Sequence, residues 1–237
     1  MTMAKNLVAV ALLLVGAPGA AEEVSFTLKT RPDLAEGIAA LPRLVGEGQA
    51  IRQINALLSA KDAEVLALAK DCNSDPPNSF YERSLAVTFD GPLLLSILVE
   101  TAFYCPGAAH GLSWVEPLNF DVSLGTATDM HGVFPAAFIA KPTTDPKGYL
   151  PPRFTPEVAE LYISSDPEID PDCANLIRDN EGLFDVWPNA AQHGLTLMPF
   201  GLAYFFTFCQ NPVTIPTATL RQLGFDKALL EALEASE

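Results

Sequence analysis

The chain has 237 residues, 29 of them acidic and 14 basic, for a formal net charge of −15. Such a surface repels phosphate, so nucleic-acid binding is excluded, while a basic protein partner is attracted. The length, with 49% hydrophobic residues, suffices for one large domain or two small ones.

In chain order, Lys5 precedes a short apolar run, Leu7 to Val15, and then the small residues of "GAPGAAEE". This order predicts a cleavable bacterial Sec-type signal peptide over 1–21, cut after Ala21 or alternatively after Gly19. The run is about half of the roughly 20 residues that a membrane span requires. "LLLSILVETAF" is the next most apolar stretch, and Ser96 and Glu100 interrupt it. The mature chain, 22–237, is therefore expected in the periplasm or outside the cell, with no membrane span after signal cleavage. An oxidising compartment gives four cysteines a structural reading as two disulfides. Three pairings are open. Cys72–Cys105 with Cys173–Cys209 is favoured, because each pair closes within one half of the chain. A zinc site would want paired Cys or His spacings that the sequence lacks.

"EVSFTLKT" alternates Val24, Phe26 and Leu28 and predicts a strand. "QAIRQINALLSAKDAEVLALAKDC" places Ile51, Ile54, Leu58, Val65, Leu68 and Cys72 at helical spacing, as one helix or two joined near Ser59, with Lys61 breaking the stripe. "NSDPPNS" is a loop. Strands follow at "SLAVTFD", with Leu85, Val87 and Phe89 on one face, and at "LLLSILVETAFYC", apolar on both faces at its start. "LNFDVSL" predicts a strand with Leu118, Phe120, Val122 and Leu124 inward, and a short strand is expected near Thr128 to Met130.

The second half is more helical. "VFPAAFIA" predicts a short helix and "TTDPKGYLPPR" a loop. "TPEVAELYIS" and "DPDCANLIRDN" predict helices capped by Thr155 and Asp170, each with proline next. "GLFDVW", "GLTLMPF" and "LAYFFTFC" predict strands, and "DKALLEALEAS" a closing helix capped by Asp226. Strands and helices are grouped rather than alternating, which predicts an α+β fold: an antiparallel or mixed twisted sheet with helices packed on it. Residues 22–237 are expected to form a single domain, divisible into two lobes near residue 150.

The three histidines each precede glycine: His110-Gly111, His131-Gly132 and His193-Gly194. No metalloprotease spacing joins them. His110, within "YCPGAAHGLSW", reads as a turn residue that hydrogen-bonds its loop, between Gly107 and Gly111. The competing readings make it a metal ligand or general base, with His131, His193, Glu100 or Asp121 as partners. No activated serine or phosphate loop is present. Trp114 and Trp187, with Tyr104 and Phe134, read first as core and second as platforms for sugar rings.

The stretches "AFYCPGAAHG", "LNFDVSLGTATDM", "HGVF" and "HGLTLMPFGLAYFFTFCQNPVTIPTATLRQL" resemble a secreted bacterial domain of unknown function. That domain forms the extracellular part of the lysozyme-sensing anti-sigma factor RsiV and stands beside the catalytic domain of the peptidoglycan deacetylase PdaC. The likeness covers roughly residues 25 to 224 and is strongest over 97–134. The segment before Ile215-Pro216 departs from the family pattern, being shortened and carrying Cys209. No counterpart of the anti-sigma factor's membrane span or of the deacetylase's metal-binding catalytic domain is expected, so neither sigma signalling nor deacetylation is implied.

The resemblance and the acidic charge together imply an exported, non-enzymatic module of the cell envelope, whose partner is a basic protein such as a lysozyme-like muramidase. One alternative is binding of peptidoglycan or its fragments. Another is a metal-dependent envelope hydrolase using His110. The candidate binding residues are Tyr104, His110, Trp114 and Asp121. No catalytic residue, metal ligand or cofactor is assigned.

Overall fold

The computed structural model describes residues 25–73, 78–141, 153–180 and 182–235. The expected signal peptide, and most of the loops expected at 73–79 and 143–153, lie outside these.

Strand β1 (Thr27–Lys29) pairs antiparallel with β2 (Arg43–Val45). Helix α1 (Gln49–Cys72) is continuous through Ser59. Its buried residues, Ile51, Ile54, Leu58, Asp62, Ala69 and Cys72, follow the three-four spacing of one helix face. Two details differ from expectation. Leu68 is 46% exposed, because the stripe runs through Ala69. The apparent break at Lys61 is instead a buried charge, Asp62.

Strands β3 (Phe80–Asp90), β4 (Leu94–Tyr104), β5 (Leu112–Asp121) and β6 (Thr126–Ala127) form an antiparallel sheet in that order. Helix α1 covers one face. There Ile51, Ile54 and Leu58 meet Leu95, Ile97, Val99, Leu118 and Phe120. Each such side chain contributes about 1.5–3 kcal/mol by leaving water. A bulge between Val87 and Phe89 shifts the register of β3. One extra residue swaps faces, so Phe89 joins the opposite core while Val87 stays 46% exposed. Leu124 is 66% exposed, in the turn after β5 rather than inside a strand. The strand expected near Thr128 is displaced to β6. Asp129 there accepts from the His131 N–H and starts a 3₁₀ turn at Met130–Val133. The helix expected in "VFPAAFIA" is a single 3₁₀ turn, Ala136–Phe138.

A second antiparallel sheet holds β7 (Phe184–Asn189), β8 (Gly194–Pro199) and β9 (Val213–Pro216). Around it lie α2 (Pro156–Ser165), α3 (Pro171–Asp179), α4 (Thr217–Gln222) and α5 (Lys227–Ala235). Asp170 caps α3 by accepting from the N–H groups of Asp172 and Cys173, and Asp226 accepts from those of Ala228 and Leu229. Thr155 occupies the cap position of α2 without a side-chain cap bond; its hydroxyl points to the Ala137 carbonyl. The core of this half, with Tyr162, Ile177, Phe184, Leu195 and Ile215, also takes in Phe89 and Leu94 from the first sheet. The start of β4 is therefore covered on both faces, as its composition predicts. Two hydrogen bonds tie the sheets together: Asn119 Nδ2 donates to the Val186 carbonyl at 2.9 Å, and the Ala190 N–H to the Thr88 carbonyl at 2.8 Å.

The fold is α+β with antiparallel sheets. Both favoured disulfides are present, Cys72–Cys105 joining α1 to the end of β4, and Cys173–Cys209 joining α3 to the segment before β9. That segment corrects one expectation. "LAYFFTFC" is not a strand but a 3₁₀ stretch, Tyr204–Cys209. Its aromatic residues have high strand propensity, but β9 takes the free edge of β8 and Cys209 is tied to α3.

Candidate functional site

Past Leu98 the second half no longer covers the outer face of the first sheet, and Glu100 is exposed. A cleft of about 790 Å³ opens there. Its floor carries Glu82, Ser84 and Glu100, with Val115 beside them, while the Trp114 side chain lies on the other face of the sheet with Thr101 and Phe103. Met198, Thr207, Phe208 and Gln210 form the opposing wall.

The wall continues into the 3₁₀ stretch, which turns its rings outward. Tyr204 is 50% exposed, Phe205 80%, Phe206 41% and Phe208 66%. The backbone is nevertheless held at both ends. The Cys173–Cys209 bridge fixes one end, and the buried Tyr162 hydroxyl donates to the Asn211 carbonyl at 2.7 Å just beyond it. At the other end the His110 ring stacks on Tyr204, with centroids 4.0 Å apart and planes 20° from parallel.

The structure brings only part of the expected residue set together. His110 lies in the "GAAHG" turn, where Gly107 has φ +84° and the Ala108 N–H donates to the Cys105 carbonyl. Gly111 does not need a positive φ. The His110 ring is exposed rather than tucked under the loop; its Nδ1 lies 3.0 Å from the carbonyl of neighbouring Gly111. Tyr104 is half-buried at the end of β4, paired with Phe80. Trp114 is 43% exposed and meets Phe103 edge-on at 4.9 Å, whereas Trp187 is core at 2%. Asp121 stands apart, seven residues from Trp114 and so roughly 24 Å along the strand. It accepts from Ser123 Oγ and the Leu124 N–H and shapes the turn after β5. Phe205, Phe206 and Phe208 escaped the sequence reading because a strand assignment would have buried alternate rings. The signal that could have found them is the excess of aromatics over small or charged residues next to a cysteine.

The histidines occupy three separate environments. His131 Nδ1 lies 2.6 Å from Asp129 Oδ1, and its ring stacks on Phe154. His193 Nδ1 lies 3.1 Å from the Leu233 carbonyl. Among the described residues no group of three or more His, Cys, Asp or Glu side chains converges as a metal site. No described helix is long and apolar enough to cross a membrane.

Two aspartates are withdrawn from water. Burial would raise the carboxyl of Asp62, but Arg83 and Arg43 hydrogen bonds and the Leu41 N–H hold it below the ordinary range. Its oxygens lie 2.6 Å from Arg83, 2.8 Å from Arg43 and 2.9 Å from Arg31. Asp185 has no such company. Burial, and then the charge of Glu116, push its carboxyl up to about 6.

The antiparallel sheets and the helices packed on them place the chain in the α+β class. No family model matches the chain, and no curated protein does. A member of the DUF3298 family from Bacteroides fragilis is similar with a TM-score of 0.49 and 11% identity, over 90% of this chain and 96% of that one. A DUF3298 family protein from Pseudomonas aeruginosa is similar with a TM-score of 0.41 and 15% identity, over 87% of this chain and 93% of that one.

Proposed function

We propose that the chain is an exported, non-enzymatic binding module of the bacterial cell envelope, and that it takes a basic protein on the aromatic segment 204–208 and the adjoining cleft. The observation that carries this reading is the row of four exposed rings on a backbone pinned by a disulfide. Exposed aromatic patches of this kind mark interaction surfaces, and buried aromatic anchors carry most of the energy of protein interfaces. Pinning the backbone lowers the ordering cost of association. The net charge of −15 speeds encounter with a basic partner. A lysozyme-like muramidase fits this chemistry and the family resemblance. The expected complex with lysozyme forms at low salt and weakens as salt rises. Phe205→Ser and Phe208→Ser each weaken it about tenfold or more, with melting unchanged because both rings are already exposed. Absence of binding heat at micromolar concentrations, or binding indifferent to both substitutions, would sink the proposal.

A second reading has one observation in its favour. Phe208 lines the same cleft as Glu82 and Glu100, an arrangement able to stack on and hydrogen-bond a glycan. Co-sedimentation with purified sacculi, lost on Glu100→Gln, is the outcome that favours it over the protein partner.

A further inference from the structure

Strand β5 is a sheet edge for most of its length. The short β6 pairs only with Phe120 and Asp121. Before Asn119 the backbone of β5 bonds β4 and no other described backbone group. Two hydrogen bonds show which of its groups are left over. The Val122 N–H donates to the Leu93 carbonyl, toward β4, while the Asn119 carbonyl accepts from the Thr128 N–H, on the side away from β4. Backbone direction alternates along a strand, and the register with β4 is unbroken along the whole of β5. Ser113, Val115 and Pro117 therefore turn their peptide groups outward. Pro117 has no N–H to offer, and at an outward position it costs the ladder with β4 nothing. The opposite edge of the sheet is closed at Arg83 by Gly37 and Ala39, and at Thr88 by Ala190.

Proteins ordinarily blunt an open edge with charge, a bulge or a cover. Over 112–115 this edge has none of these. The stretch is uncharged, and Leu112 and Trp114 are exposed on the α1 face of the sheet. Beside Trp114 a groove of about 70 Å³ is lined by Leu68 and Glu64 of α1. Glu116 lines it too and is paired with Lys61 at 2.7 Å.

We propose that an extended segment of a basic partner protein pairs with residues 112–117 as an added strand. A row of outward N–H and C=O groups recognises another extended backbone, and the side chains beside it set the preference. The position opposite Trp114 is a non-hydrogen-bonded pair, where side chains approach most closely. A lysine or arginine suits it, with its stem over Trp114 and Leu68 and its charge toward Glu64. A second copy of this chain suits the edge less well, because two chains of net charge −15 repel each other. This surface is separate from the aromatic segment 204–208 and shares with the proposed function only the sign of the partner's charge.

Amide hydrogen exchange of the full chain, read by NMR, tests the proposal. The probe is a short synthetic peptide that alternates valine with lysine. In the free protein the Ser113 and Val115 amides exchange fast, while those of Trp114 and Glu116, bonded to β4, are protected. Saturating peptide is expected to slow Ser113 and Val115 about tenfold or more, the effect of one new hydrogen bond at each. Val115→Pro removes an outward N–H and, as at Pro117, spares the ladder with β4. It is expected to weaken peptide binding about tenfold or more. Ser113→Pro repeats the test at the neighbouring outward position. The same peptide N-methylated throughout, or with glutamate in place of lysine, is expected not to bind. The proposal is overturned if saturating peptide leaves the two amides unprotected, or if either control peptide binds as well as the probe. It is overturned equally if the folded proline variants bind as the wild type does, or if protein concentration alone protects the two amides, which would make the occupant a second copy. The two readings fail separately, since lysozyme binding answers to Phe205→Ser and Phe208→Ser and peptide pairing to Val115→Pro.

Discussion

Asp62 and Asp185 are treated in opposite ways by the two halves of the molecule. Asp62 sits on the buried stripe of α1, and every nearby element supplies it with a donor: Arg31 before β2, Leu41 and Arg43 at β2, and Arg83 on β3. Arg83 is itself 3% exposed and also donates to the Ala39 carbonyl. Asp185 has Glu116 as its charged neighbour. A charge with a complete donor shell organises the fold. A charge left short of donors is a standing cost to the fold.

The largest expected effect tests the first side of this contrast. Asp62→Ala leaves three arginines facing a vacancy, one of them deeply buried, and is expected to cost about 3–5 kcal/mol in chemical denaturation. A cost below about 1 kcal/mol would mean that the arginines are satisfied by water and that Asp62 organises nothing. The pH dependence has a definite sign. The folded carboxyl of Asp62 lies below its ordinary value of 3.8, so its contribution is present above that value and is lost as pH falls through the folded one.

Asp185 is expected to run the other way. Its carboxyl rises from 3.8 to about 6 in the fold. The folded state therefore binds the proton more tightly, and stability falls as pH rises from about 4 to about 6. Asp185→Asn removes that penalty and is expected to stabilise the protein by about 2–3 kcal/mol at neutral pH, with no gain below pH 4. Thermal melts of both proteins across this window decide it; a difference that does not change with pH would break the contrast.

The smallest effect concerns His110. Its ring is exposed, its hydrogen bond is to its own neighbour, and its main contact is the Tyr204 ring. His110→Ala is expected to cost less than about 1 kcal/mol in urea denaturation. A loss of 2 kcal/mol or more, beyond what one stacked pair contributes, would show that the turn depends on the imidazole itself.

Several features were legible from residue pattern alone. The α1 stripe, the proline-led starts of α2 and α3, the Asp170 and Asp226 caps and the two-faced start of β4 are local in origin. They follow from side-chain spacing and from polar residues placed beside helix ends. The cysteine pairing was also legible, because each bridge closes within one half of the chain. Lys61 and the aromatic run misled for a common reason. The polar pair Lys61-Asp62 looks like an interruption of the stripe until three arginines distant in sequence are assembled around Asp62. An aromatic run looks like a strand until β9 is seen to take the free edge of β8 and Cys209 to be tied to α3.

The sequence by itself determined the α+β class, the positions of the main helices and the favoured disulfide frame, since propensity, periodicity and caps act over a few residues. Only the tertiary structure decided which face each ring shows to solvent, which aspartate is paired and which is left short, and that His110 meets Tyr204 across 94 residues of chain. Those outcomes depend on contacts between segments far apart in the chain, and no local spacing encodes them.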